Sequence, residues 1–159
     1  MEFNVAGLTT MLLGFTLGYQ LVLSLIEKPV LPLIGSPEKL PAHEADIRGV
    51  HAILRTLQYY AGTKVILPVM TLTLGMGVWQ AYSRQFDAMS MFVLIGLIAV
   101  AYLVIVRVAP LAARLHKSSS QAIDLEDLSL QLFRVVRLHN KLFVAVFTVT
   151  LAQATLLFL

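Results

Sequence analysis

Four stretches of the chain carry no charged side chain: Phe3 to Ile26, Val65 to Tyr82, Met89 to Val106 and Leu142 to Leu159. Each is near the ~20 residues that a helix needs to cross the hydrocarbon of a bilayer. The pattern therefore predicts four transmembrane helices in one domain spanning residues 1–159, an all-α integral membrane four-helix bundle. The short turn from Ser83 to Ala88 fixes spans two and three as an antiparallel hairpin. No segment repeats at a period of about 20–50 residues, so a solenoid is excluded.

The polar stretches, residues 27–64 and 107–141, have their own order. Pro29, Pro32, Pro37 and Pro41 fix φ and remove backbone donors, which predicts an extended or re-entrant connection from Lys28 to Leu40. Pro41, with Glu44 in the first turn, then opens a helical run through Tyr60 that leads toward span two. On it Glu44, Arg48, His51, Arg55 and Gln58 alternate at intervals of four and three and so share one face. Pro68 is expected to kink span two by displacing the bond to the Lys64 carbonyl. In the second polar stretch Pro110 bends the continuation of span three, and Ser118 to Ser120 make a flexible break. Asp124 offers an N-cap, with Asp127 three residues on. From Leu125 a helix can run unbroken into span four. Spans two and four are thus each preceded by a helical extension.

Composition agrees with a bilayer environment. Apolar residues make up 58% and charged residues 13%, against about 45–50% and about 25% in soluble domains. There is no cysteine, which removes disulfides, thiolate metal sites and cysteine nucleophiles. The net charge is +3, and its distribution has a topological explanation. Lys28, Lys39, Arg48, Arg55 and Lys64 lie between spans one and two, Arg107, Arg114, Lys117, Arg134, Arg137 and Lys141 between spans three and four, and only Arg84 lies on the other side. Cations are retained in the cytoplasm, so the long loops are placed there and both termini outside, in a bacterial inner membrane. No nucleic-acid partner is expected. Glu2 ahead of the first span, with no cation before it and no small-x-small pattern after it, marks that span as an anchor. Gly14 with Gly18, and Gly75 with Gly77, fit close helix approach within the bundle or between protomers, so a homo-oligomer or a subunit of a larger membrane complex is expected.

Two accounts of the polar residues stand side by side. In one, the acids Glu27, Glu44, Asp46, Asp124, Glu126 and Asp127 simply pair with the cations at a wet interface. In the other, Glu27, His51, Arg55, Arg134, Arg137 and His139 converge inside the bundle mouth, where an idle polar group is costly. His43 and His116 read as solvated. His51 and His139 could hold haem b, and with Glu27 they form a two-His-one-carboxylate set suited to a metal, but no histidine lies within the apolar spans. No Gly-rich phosphate loop, nucleophile elbow or HExxH is present.

The layout of four spans, Glu27-Lys28-Pro29 at the end of the first and Arg137-Leu138-His139 opening the last resembles the anthrone-oxygenase-like family of small membrane proteins. Phe133 and Lys141 depart from that family's pattern. The resemblance implies oxidation of a lipophilic phenolic or anthrone substrate by O₂ without an organic cofactor. His139 or His51 would be the base. Arg55, Arg134 or Arg137 would bind the substrate and stabilise the phenolate, and Glu27 would orient the imidazole. An interfacial imidazole is expected to contribute little to folding, so its loss should be tolerated. The competing class is a non-catalytic subunit or small-molecule-binding protein of a larger assembly.

The cation split yields a first test. Cysteines placed at Asp87 and at Ser119 should label from opposite faces of intact cells, Asp87 from outside. Labelling of both from the same side would sink the four-span topology.

Overall fold

The computed structural model describes residues 4–34, 36–117 and 124–158, and no strand occurs among them. Its helices are α1 (Val5–Glu27), α2 (Glu44–Leu57), a first π-helical segment (Gln58–Ile66), α3 (Leu67–Ser83), α4 (Ala88–Leu103), a second π-helical segment (Val104–Val108), α5 (Ala109–Lys117) and α6 (Leu125–Thr155). Several join end to end, leaving four rods, Val5–Glu27, Pro41–Ser83, Ala88–Lys117 and Leu125–Thr155, each long and apolar enough to cross a membrane. The break expected at Ser118 to Ser120 lies outside the described residues.

The rods form a four-membered bundle in which α1 packs on α3 and α6, and α4 packs on α3 and α6. At the cation-rich end α2 and α5 add a second layer, α2 touching α1, α5 and α6. There are accordingly two apolar cores. One, toward the short hairpin, gathers Leu13, Val93, Leu97, Val100, Leu142, Val146 and Val149. The other, at the cation-rich end, gathers Leu23, Ile47, Leu54, Leu115, Leu128, Leu132 and Val136. Outward faces are apolar as well: Phe15, Leu25, Trp79, Phe92, Ile98 and Val144 are all exposed. A soluble monomer rarely shows so continuous an apolar surface.

Among its described residues the connection from Lys28 to Leu40 is not extended. It folds into short 3₁₀ turns closed by Val30 N–H to the Glu27 carbonyl and Leu33 N–H to the Val30 carbonyl, both at 3.1 Å. Val30, Leu33 and Leu40 are buried in the second core. Proline removes a donor without forbidding its neighbours from closing a turn, and three apolar side chains outweigh the preference for an open chain.

Pro68 and Pro110 each follow a π segment. The Leu67 N–H bonds back to the Gly62 carbonyl and the Ala109 N–H to the Val104 carbonyl, each five residues earlier. A proline ring blocks the carbonyl four residues before it, and a wider turn relieves the clash upstream.

At the opposite end the hairpin turn holds Gln85 and Phe86 at φ of 54° and 57°, a region costing roughly 1–2 kcal/mol per non-glycine residue. Asp87 compensates by capping α4, accepting from the Ser90 backbone N–H at 2.8 Å and from Arg84 at 2.6 Å. The Ser90 bond, with Arg84 beside it, holds the Asp87 carboxyl below its ordinary range. Deeper in this half, Gln80 and Gln153 exchange reciprocal amide bonds at 3.0 and 2.8 Å, and Gln153 also donates to the Ala6 carbonyl at 3.2 Å. These bonds tie α1, α3 and α6 together where the surroundings are otherwise apolar.

Small residues mediate close approach, though only partly the ones expected. A Cβ added at Gly96 would meet Val149 Cγ2 at 2.5 Å, and one at Gly77 would meet Leu97 Cδ1 at 2.5 Å, whereas Gly14, Gly18 and Gly75 have nothing within 4 Å. Val149 is β-branched and stiff, while Leu97 presents the far end of a flexible side chain. Gly96→Ala should therefore cost about 1–3 kcal/mol by overpacking, Gly77→Ala less, and Gly14→Ala should gain about 0.5–1 kcal/mol from helix propensity. Thermal unfolding in detergent checks the order, and equal effects at Gly96 and Gly14 would contradict the α4–α6 packing.

Candidate functional site

The site lies where the two apolar cores meet. Glu27 ends α1, one residue before the proline-rich turns. His139 sits on α6 between Val136 of one core and Leu142 of the other. Gln58 opens the first π segment, on the helix face that carries His51 two turns earlier. Glu27, His139 and Gln58 are 0%, 2% and 5% exposed.

These three side chains form one chain of hydrogen bonds. His139 Nδ1 bonds to Glu27 Oε1, and the Gln58 amide nitrogen donates to His139 Nε2 at 2.8 Å. With the Gln58 amide nitrogen as donor, Nε2 is an acceptor and the ring proton sits on Nδ1 toward Glu27. The tautomer follows from the orientation assigned to the Gln58 amide; turned over, the same amide accepts from an imidazolium. Both protonation states of His139 thus have partners without any movement of the backbone.

His139 and Gln58 both line a partly open cavity of about 90 Å³, mostly apolar, whose other walls include Tyr19, Gln20, Gly62 and Val108. Both π segments contribute to its walls, through Gln58, Gly62 and Ile66 on one side and Val104 and Val108 on the other. The wide turns therefore shape the space that His139 lines, as π-bulges often do at functional sites. The Tyr19 hydroxyl reaches toward the Leu57 carbonyl at 3.5 Å.

Three buried acceptor oxygens, Glu27 Oε2, Gln20 Oε1 and Gln58 Oε1, have no hydrogen-bond partner among the described residues. Each buried acceptor left so costs about 1–3 kcal/mol. Two of them, on Gln20 and Gln58, belong to side chains that line the cavity, so the space suits a ligand that brings O–H or N–H donors.

The expected convergence is realised in part. Glu27 and His139 meet directly. His51 is fully buried but lies seven residues before Gln58, about 10 Å further along the helix axis, and the second partner of His139 is an amide, not another imidazole. Arg55 is half-buried on α2. Arg134 and Arg137 are exposed and do not enter the site: they share the outer face of α6 while Val135, Val136 and His139 face inward. His116, expected in solvent, stacks on Tyr59 with ring centroids 3.9 Å apart and pins α5 to the first π segment. His43 stays at the surface, paired with Asp46 at 3.2 Å. Among the described residues no three histidine or carboxylate side chains are grouped to hold a metal ion. Gln58, on the polar face of the second helical run, and Tyr19 and Gln20, in the first span, line the cavity but were not among the expected site residues. The available signal was Gln58, last on the His51 face and a short way before Pro68.

Burial also reverses the expectation that the imidazole contributes little to folding. Removing one member of a buried acid–base pair strands the other, at a cost of about 3–5 kcal/mol, whereas replacing both with apolar groups is often neutral. Glu27→Ala and His139→Ala should each destabilise by about that amount, and Glu27→Leu with His139→Leu together should melt near the parent. Single variants as stable as the double would refute the buried pair.

No protein-family model, curated protein or solved structure matches the chain.

Proposed function

We propose that the protein is an integral protein of the bacterial cytoplasmic membrane, its termini outside, in which His139 acts as general base on a lipophilic aromatic substrate that then reacts with O₂. The observation that carries this reading is the Glu27–His139–Gln58 chain ending at an apolar cavity. Four apolar rods and the gathering of cations at one end support the membrane placement.

A carboxylate on Nδ1 fixes the ring and tautomer and stabilises the imidazolium that forms when Nε2 takes a proton. Nε2 is the ring nitrogen left for the base, since Nδ1 is held by Glu27, and its present partner, the amide of the cavity-lining Gln58, can yield to a substrate or turn to accept from the protonated ring. Gln20 and Gln58 offer acceptor oxygens to a substrate hydroxyl. Cavity volume limits the pose. About 90 Å³ is less than the ~150 Å³ that holds a benzene ring, so an aromatic substrate inserts its reacting edge and leaves its bulk between the π segments. There Leu67 and Ala109, both exposed, border the mouth.

For an anthrone-type methylene the chemistry balances as R₂CH₂ + O₂ → R₂C=O + H₂O. The C–H proton passes to His139 Nε2, and the delocalised anion bonds to O₂. The carbon gives up four electrons in all, one oxygen atom ending in the ketone and the other in water, which carries away the proton from the imidazolium. No external electron donor enters this balance. Apolar walls suit the step, since a delocalised anion and O₂ both partition from water.

His139→Gln keeps an amide donor toward Glu27 but has no basic nitrogen. With an anthrone substrate in detergent it should lose oxygen uptake by roughly 10²–10⁴-fold while melting like the parent. Glu27→Gln should lose less. A parent that consumes no oxygen with anthrones or lipophilic phenols, or a His139→Gln variant at the parental rate, would overturn the assignment.

A further inference from the structure

We propose that the groove between α5 and α6 at the cation-rich end binds the phosphate of an anionic phospholipid. This groove, of about 450 Å³, is separate from the cavity at His139 and is lined by Leu111, Arg114, Leu115, Lys117, Gln131, Arg134 and Val135. Arg114 and Lys117 come from the last turn of α5, and Gln131 and Arg134 lie one turn apart on α6, so cations stand on both walls.

Two observations make these cations a site. None of the three has an ion-pair partner among the described residues, although Arg48 pairs with Glu44 at 2.7 Å and Arg84 with Asp87 at 2.6 Å. Asp127, Glu126 and Asp124 on the same helix as Arg134 are exposed and make no such contact with it. Uncompensated positive charge held together across a groove is repulsive until an anion enters. The second observation is the floor. Leu115 and Val135 are buried, and Leu111 packs against the same core, so the groove joins a cationic rim to apolar side chains. A soluble anion would use only the rim. A phospholipid uses both, placing its phosphate among Arg114, Lys117 and Arg134 and its glycerol and first acyl carbons along Leu111 and Val135. Basic pockets between helices at the cytoplasmic end of a bundle are a recurrent form of headgroup recognition. Three cations facing one phosphate select an anionic lipid, because the ammonium of a zwitterionic headgroup would be repelled.

The inference is independent of any chemistry at His139, and native mass spectrometry of the full chain tests it. Released from micelles containing equal phosphatidylglycerol and phosphatidylcholine, the parent should retain one phosphatidylglycerol in clear preference. Arg114→Gln, Lys117→Gln and Arg134→Gln should each weaken that preference by about fivefold, and the triple variant by roughly 10². A charge-matched control, Lys28→Gln with Lys39→Gln and Lys141→Gln, should keep it, and the single variants carry the test should the triple variant unfold. Equal retention of both lipids, or an equal loss in the control, would overturn the site. Full competition by millimolar inorganic phosphate would mark a soluble-anion site and overturn the lipid assignment.

Discussion

The arrangement depends on burying a carboxylate and an imidazole against each other in an otherwise apolar interior. Taking an ion out of water costs several kcal/mol even after relaxation, and the only elements that can meet this cost are the partners brought within reach. Glu27 is at the end of α1, His139 mid-way along α6 and Gln58 at the start of a π segment, so three rods must hold a common depth and rotation for the bonds to form. A slip of one residue on α6 would turn His139 toward the bilayer and leave Glu27 alone. The pair thus acts as a register lock at the junction of two apolar cores, neither of which discriminates strongly between similar packings of leucine and valine.

Two prolines supply the space that makes this lock accessible. Pro68 and Pro110 each deny a carbonyl its usual partner, and both rods respond by widening upstream into π turns. Because the rods pack so that both wide turns face α1 and α6, the deformations meet in one cavity. The fold therefore combines a rigid acid–base pair with a locally loosened wall. Small residues maintain the opening: Gly62 on one wall, Ala109 and Ala112 on the other. Larger side chains there would fill about 90 Å³ and return the imidazole to an inert, fully packed environment.

Much of this architecture is legible in the sequence because it follows from transfer energetics: charge-free stretches of spanning length become the four rods, and helical extensions precede spans two and four. What was not legible depends on rotation about the helix axes. Arg134, Arg137 and His139 are near neighbours in sequence, yet only His139 turns inward, since α6 buries Leu132, Val135, Val136 and Leu142 on that side. Gly14 and Gly18 carry the spacing for close packing but face outward, while Gly96, with no glycine four residues away, receives Val149. Whether the proline-rich connection is extended or turns back was not legible, because proline statistics are local and the burial of Val30 and Leu33 is not. Gln58 was on the correct face, but an amide is noticed only once it is seen to hold a ring nitrogen.

A bundle in lipid lacks the force that assembles helices in water, because hydrocarbon tails are as apolar as leucine. Direction must come from close packing and from polar contacts that have no alternative partner in the bilayer. This chain places one such contact at each end. Gln80 and Gln153 exchange both of their amide bonds and reach Ala6, joining α1, α3 and α6 near the hairpin. Glu27, His139 and Gln58 join α1, α6 and the rod that becomes α3 near the cations. The same three rods are therefore fastened twice, and α4 is held to them by the tight Gly96 contact. The two fastenings differ in one respect. The glutamine pair is neutral and each amide oxygen accepts from the other side chain, leaving no orphaned acceptor. The acid–base chain leaves Glu27 Oε2 and Gln58 Oε1 without partners, and Gln58 lines the cavity, so a donor bound there removes a cost that packing alone would not impose.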